Sequence, residues 1–332
     1  QNIEDNMAQT AKNLIIVESP SKAKTIGKYL GSRYKVMASV GHVRDLPKSR
    51  LGVEIENDFE PDYINIRGKG PLIKELKSEA KKARKVYLAT DPDREGEAIS
   101  WHLAHILGID EGTECRIEFN EVTKDAVKAA IKKPRTINMD LVDAQQARRV
   151  LDRIVGYQIS PLLWRKVQRG LSAGRVQSAA LKIICDRENE IENFKPEEYW
   201  TINAIFEKGR EFSAKLLTKN SKKLSITSED SAKQIEEELK LNEFTVNDVA
   251  FRKKNRKPYA PFTTSSLQQE AGNKLGFSSG RTMRTAQQLY EGINIRGKGA
   301  TGLITYLRTD SVRISVEGRS SALSFIEKNY GK

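Results

Sequence analysis

Short apolar runs alternate with amphipathic helical stretches from Leu14 to about Pro134, and that alternation most limits the folds open to this chain. Leu14–Val17 is a run of four aliphatic residues, the pattern of a strand buried on both faces. Ser21–Leu30 follows with helical spacing, and Ser19 and Pro20 ahead of it are the capping signals that open helices. Lys85–Thr90 repeats the strand pattern, after which Ile99, Leu103, Ile106 and Leu107 fall at i, i+4, i+7 and i+8, one face of a helix. A third round pairs Arg116–Phe119 with a helix near Thr123–Ile131. Strand–helix alternation of this kind predicts a Rossmann-like α/β layer around a mostly parallel sheet.

Beyond Pro134 the texture changes to long helices. Leu141, Ala144, Ala147, Val150, Leu151, Ile154 and Val155 form one stripe, and Val176, Ala179, Ala180, Ile183 and Ile184 another. The 332 residues carry 57 Lys+Arg against 44 Asp+Glu, a net charge of +13. Much of the excess is local: between Ala144 and Lys182 there are eight basic residues (Arg148, Arg149, Arg153, Arg165, Lys166, Arg169, Arg175, Lys182) against one acid, Asp152. Such a surface predicts a polyanionic partner. From Tyr199 to about Asn255 the runs are β-like with polar turns and one helical stretch near Ser231–Leu239; the basic run Arg252–Lys257 and Pro258/Pro261 mark a boundary, and helices are expected at Thr264–Leu275 and Arg281–Glu291.

This organisation predicts a multidomain α/β + α chain: a flexible tail over 1–12, an α/β domain over 13–134 with loops in 35–67 reaching toward the next domain, a basic helical domain over 135–196, a β-rich arm over 197–257, and a last segment with helices over 258–332. Cys115 and Cys185 are far apart and lack zinc or disulfide spacing. The longest early apolar run is too short for a signal or membrane segment, so the expected home is the cytoplasm.

Asp91-Pro92-Asp93-Arg94-Glu95-Gly96-Glu97 directly follows a predicted strand and opens a helix, so Asp91, Asp93 and Glu95 are expected at the carboxyl end of the sheet, where ligand sites concentrate. Clustered hard oxygens suit Mg²⁺. The bland alternative, acids complementing a helix N-terminus, is equally open on spacing alone. Glu18 ends the first strand in the same way. An EF-hand is excluded because His102 holds the position that needs a glutamate. Gly292–Gly299 nearly spells a P-loop, but Gly299 replaces the Ser or Thr that would bind metal. His42, His102 and His105 lack zinc-site spacing.

VESPSKAKTI (17–26), GHVRDLP (41–47) and DPDREGE (91–97) resemble the Toprim module of bacterial type IA DNA topoisomerases. The resemblance continues through FNEVT (119–123), QQARRVLDRIVGY (145–157), GLSAGRVQS (170–178), PFTTSSLQQEA (261–271) and GLITYLRTDS (302–311), and so covers about residues 13 to 330. It implies that Tyr306 is a nucleophile that cleaves single-stranded DNA through a 5′-phosphotyrosine link without ATP, and that the full-length enzyme relaxes negatively supercoiled DNA. A phenol is protonated at neutral pH and needs electrophilic help, which Arg308, two residues on, could give. By the same resemblance Glu18 serves proton transfer near the phosphate and the metal, Lys22 contacts the phosphate or protonates the leaving oxygen, and Asp91, Asp93 and Glu95 bind Mg²⁺. Arg116, Arg148, Arg149, Asp152, Arg175, Gln177, Gln287 and Glu291 fall at positions that line the DNA groove or support the site.

Tyr157 and Trp164 offer faces for base stacking, although Trp164 among Leu162, Leu163 and Val167 could equally be core. The family core continues past the Tyr306 motif, and Val312 stands where a threonine is usual. The expectation is therefore a monomer that contains the cleavage parts, with strand passage in doubt. Two rival readings remain: a catalytically silent single-strand-binding piece, and a Toprim nuclease or primase.

Overall fold

The computed structural model describes residues 12–297 and 299–331. The expected tail over 1–12 lies almost wholly outside the described residues. The chain divides into two units: one runs through Arg175 and resumes at Tyr259, and the other is Val176–Pro258.

In the first unit, β1 (Asn13–Val17), α1 (Pro20–Leu30) and β2 (Tyr34–Ala38) form a parallel βαβ turn. Small antiparallel ribbons follow, β3 (Arg44–Asp45) with β6 (Ile64–Asn65) and β4 (Val53–Glu54) with β5 (Glu60–Pro61). Then come α2 (Gly70–Lys82), β7 (Val86–Leu88), α3 (Arg94–Leu107), α4 (Lys124–Ile131) and the long α5 (Met139–Lys166). The sheet has the order β2-β1-β7, all parallel. The expected α/β layer is present, with the expected caps: the Ser19 side chain accepts from the Lys22 amide, and Pro20 opens α1.

Why β1 is apolar throughout is visible in its packing. Leu14 and Ile16 bury into one cluster with Ile99, Leu103 and Leu88, while Ile15 and Val17 bury on the opposite face with Ile26, Phe119, Tyr290 and Tyr306. Alternate side chains point to opposite faces and both faces are covered. Because β1 leads to β2 on one side and pairs with β7 on the other, the crevice at the carboxyl ends of β1 and β7 is the switch point where such sheets bind ligands. Glu18 and Asp91 leave the sheet there.

Three expectations need correction. β2 has no counterpart among the expected strands. Arg116–Phe119 is not a full strand: it joins the sheet through a single parallel bridge from Arg116 to Leu88 and an antiparallel one to Arg135. The α5 stripe is rotated. Val142, Val150 and Arg153 are buried while Leu151 is exposed: Val142 joins the cluster of Ile99 and Leu103, and Leu46, Leu51 and Val53 pack against Val150.

The first unit resumes with α8 (Thr264–Leu275), α9 (Ser279–Glu291), the hairpin β12 (Ile293–Ile295) and β13 (Gly299–Thr301), and α10 (Val316–Tyr330). In the second unit are α6, which begins at Arg175 and ends at Glu192, the hairpin β8 (Asn203–Lys208) and β9 (Arg210–Lys215), the two-residue strands β10 (Thr218–Lys219) and β11 (Lys222–Lys223), and α7 (Glu229–Lys240). The second predicted stripe exists on α6 but does not pack there: the helix has no buried residue, and Val176 and Ile183 are exposed. None of the described helices is long and apolar enough to cross a membrane.

Candidate active site

The site assembles at the switch-point crevice from four segments distant in sequence. α1 starts at the end of β1, so Lys22 in its first turn faces the crevice; its Nζ donates to Glu18 Oε1 and to Asp91 Oδ1, each at 2.9 Å. Lys22 is wholly buried, with the Phe119 and Tyr290 rings 5.0 and 5.6 Å from its ammonium. A buried ammonium between two carboxylates is a paired charge, as burial requires. Burial foremost lifts the Glu18 carboxyl to about 7; Lys22 opposes the rise and Asp91 adds to it.

Asp93 has two partners. Its Oδ1 caps α3 by accepting from the Gly96 amide at 2.7 Å, and its Oδ2 accepts a 2.5 Å hydrogen bond from the Tyr306 hydroxyl. The helix-start reading of the acidic run therefore holds for Asp93, whose other oxygen is taken by the tyrosine. At Gly96 an added Cβ would overlap the Asp91 carbonyl, so the loop closes this tightly only around glycine. Glu95 reaches outward: Arg308 Nη1 lies 3.0 Å from its Oε2 and His42 Nε2 3.6 Å from its Oε1. These neighbours, His42 first, bring the Glu95 carboxyl down to about 2 against the effect of burial.

Tyr306 is carried to Asp93 by backbone pairing. Its amide donates to the Asn120 carbonyl at 2.7 Å, and Thr305 bridges Glu121. The FNEVT segment is therefore the ledge that holds the tyrosine. Thr264 clamps the other side: its hydroxyl donates to the Leu307 carbonyl at 2.7 Å and accepts from the Thr309 amide at 2.9 Å. The Tyr306 ring meets Tyr290 edge-on, centroids 5.4 Å apart. Burial, then the bond to Asp93, raises the pKa of the phenol well above its usual value.

A cleft of about 430 Å³ opens beside this centre, bringing Asp93, Glu95 and Arg308 together with Arg148, Arg149 and Asp152 of α5. Arg149 pairs with Asp45 at 2.7 and 2.8 Å, and Arg175 with Asp152 at 2.7 Å. Arg148 is exposed, and Gln287 donates to Glu291 at 2.7 Å. Gln177 lies exposed on α6 in the second unit. Trp164 is exposed, its indole donating to the Leu171 carbonyl at 2.5 Å, so it is not core.

Arg116 does not line the cleft. It is completely buried beneath the acidic loop, donating to the carbonyls of Thr90 and Asp91 at 2.8 Å and to Glu97 at 2.9 Å. Arg153, one of the eight cations between Ala144 and Lys182, is also buried, bound to the Pro47 carbonyl at 2.7 Å. Sequence reasoning missed His42, Glu97 and Asp45; the GHVRDLP and DPDREGE motifs contain all three and were the available signal.

Asp91, Asp93 and Glu95 supply hard oxygens of the kind a divalent ion takes, and the buried Oε2 of Glu18 has no partner, which fits such a group. In this geometry the acids are held by Lys22, Tyr306 and Arg308, and among the described residues no three ligating side chains converge as a coordination sphere.

A family model described as DNA topoisomerase matches residues 136–332, and one described as Toprim domain, a divalent-metal-binding domain, matches residues 13–122. The chain belongs to the bacterial type IA DNA topoisomerase family. It is similar to the full-length topoisomerase I of Thermotoga maritima, in a monoclinic crystal form: 44% identity and a TM-score of 0.81, over 96% of this chain and 53% of that one. The chain spans about half the length of that relative.

Proposed function

We propose that this chain carries the DNA-cleavage centre of a type IA topoisomerase, with Tyr306 as nucleophile. The observation that carries the reading is the 2.5 Å bond from the Tyr306 hydroxyl to Asp93 Oδ2, at the switch point and beside a basic cleft. The phenol oxygen attacks phosphorus in a single strand; a tyrosyl–phosphorus bond forms, the bond to the 3′-oxygen breaks, and the product is a 5′-phosphotyrosine with a free 3′-hydroxyl. The bond energy is conserved in the link, so resealing is the reverse step and uses no ATP.

The proton of Tyr306 passes to Asp93, which already accepts it in a hydrogen bond. Arg308, more than half exposed toward solvent, neutralises charge on the phosphate as the tyrosine two residues away attacks. Lys22 and Glu18 form the proton relay for the leaving 3′-oxygen: a carboxyl near 7 can both give and take a proton at neutral pH. Mg²⁺, held by Asp91, Asp93 and Glu95 with Glu18 beside them, would supply positive charge near the phosphate. Arg148, Arg149, Asp152, Arg175, Gln177, Gln287 and Glu291 guide the strand or brace its guides.

In this reading residues 13–134 are the Toprim domain, 135–196 the basic helical domain, 197–257 the arm and 258–332 part of the nucleophile domain. The substrates are single-stranded and negatively supercoiled DNA, the protein is a monomer, and it works in the cytoplasm at the nucleoid. The test is trapping with denaturant after incubation with labelled single strands, with and without Mg²⁺. A protein-linked strand that disappears in Tyr306→Phe is expected. Salt-sensitive binding with no link would mean a silent binding piece, and Mg²⁺-dependent product without a link would mean a nuclease.

A further inference from the structure

A second basic feature lies outside the centre just described. Residues 252–257 read Arg-Lys-Lys-Asn-Arg-Lys, five cations in six positions. They belong to the second unit, in a stretch over 243–258 that forms neither helix nor strand, and every residue of that stretch is exposed. Among the described residues none of the five has an ion-pair or hydrogen-bond partner for its side chain. Elsewhere in the same unit some cations are paired, Lys182 with Asp186 at 2.9 Å, Lys233 with Glu229 at 2.8 Å, and Lys219 and Lys240 each with a glutamate at 2.6 Å, but only residues 252–257 concentrate five cations with no acid among them. Phe251, directly before the run, is 94% exposed.

Five like charges within six positions repel one another unless a polyanion lies along them. An extended chain rises about 3.3 Å per residue, and a DNA strand presents one phosphate per about 3.4 Å of helix axis, so the two ladders match in charge density. Laid out in extended form along a strand of DNA, the run would place Arg252, Lys254 and Arg256 on one side, about 6.6 Å apart. Guanidinium groups clamp phosphates in a bidentate manner, and an exposed phenyl ring stacks on an unpaired base. The bland reading, a merely solvated loop, explains the exposure but leaves unexplained why five of six consecutive positions carry charge of one sign with no acid among them.

We propose that residues 252–257 are a sequence-independent binding strap for the DNA phosphodiester backbone, separate from the cleft around Arg148 and Arg149. The proposal rests on the reading of this chain as a DNA enzyme. Its source of phosphate is either a single strand or the adjoining duplex, and the two are told apart by measurement.

The experiment uses the full 332-residue chain and a variant with Arg252→Ser, Lys253→Ser, Lys254→Ser, Arg256→Ser and Lys257→Ser; all five side chains are exposed, so the fold should persist, as a thermal melt would check. Binding of fluorescent single-stranded and duplex oligonucleotides is followed across salt concentration. If all five cations touch phosphate, the slope of log affinity on log salt shrinks by about 3.5 on single strands or about 4.5 on duplex, the former being roughly a hundredfold change in affinity between 50 and 200 mM salt. The DNA form with the larger loss is the source. Phe251→Ala should weaken single-strand binding alone. An unchanged slope on both DNAs overturns the proposal. So does tighter binding of phosphatidylserine vesicles than of DNA, lost in the variant. The Tyr306 adduct is scored in parallel: a wild type that forms no adduct but still shows the slope difference sinks the cleavage reading and leaves the strap standing, whereas a wild type that binds neither DNA overturns both.

Discussion

The Tyr306 hydroxyl and Asp93, 213 residues apart in sequence, share a 2.5 Å hydrogen bond, and the same carboxylate caps α3 through its other oxygen. One side chain thus fixes where the helix begins and where the phenol points. The tyrosine arrives through the Asn120 ledge and the Thr264 clamp, so its position is set by the Toprim sheet and by α8 together.

Asp93→Asn separates the two tasks. Asparagine is as good an N-cap as aspartate, so stability should change by less than about 0.5 kcal/mol. The group that accepts the phenol proton is lost, and single-turnover cleavage should fall about 10²–10⁴-fold. Denaturant melts and adduct kinetics on the same preparation check both halves.

Lys22→Ala leaves Glu18 and Asp91 facing each other with no cation between them. Removing one partner of a buried charge cluster should lower stability by about 3–5 kcal/mol at neutral pH, measured by urea unfolding.

Arg116→Ala should destabilise by a similar ~3–5 kcal/mol and also abolish the adduct, because the guanidinium holds the Thr90 and Asp91 carbonyls from beneath. Binding of single strands at moderate salt should survive, since Arg116 is buried and does not line the basic cleft. If binding fell while the melt stayed unchanged, the supporting role would be wrong.

His102 gives a pH signature. Burial, with His42 and Arg44 nearby, lowers its pKa to about 3, so it stays neutral in the folded chain. The unfolded state takes up the proton below about 6.5, and stability therefore falls as pH drops from there toward 3. The contribution approaches about 1.4 kcal/mol per pH unit. His102→Gln should flatten the stability–pH curve by about one proton across that window.

Local signals were the legible part of the fold. The β1 run, the Ser19 cap and the helices α8 and α9 follow from periodicity and end residues that act over a few positions. β2 escaped because Tyr34–Ala38 is only half-buried, with a lysine inside it. The α5 face was rotated because Leu46 and Val53, a hundred residues upstream, decide which side is covered. The same distance hid the charge partners: a window over 144–182 contains one acid, yet Arg149 is matched by Asp45, 104 residues away. At the site, motifs named the acids and the tyrosine. They could not show that Lys22 and Arg308 hold the acids, or that Arg116 lies beneath the loop and away from the cleft, because those follow from how four segments meet.

The most direct measurement is mass spectrometry of the trapped protein–DNA adduct after nuclease and trypsin digestion. The account predicts nucleotide mass on the peptide 299–308, whose single tyrosine is Tyr306, with the linked DNA carrying the 5′-phosphate and the released strand a 3′-hydroxyl. Nucleotide mass on any other residue, or DNA cut with no modified peptide, would contradict it.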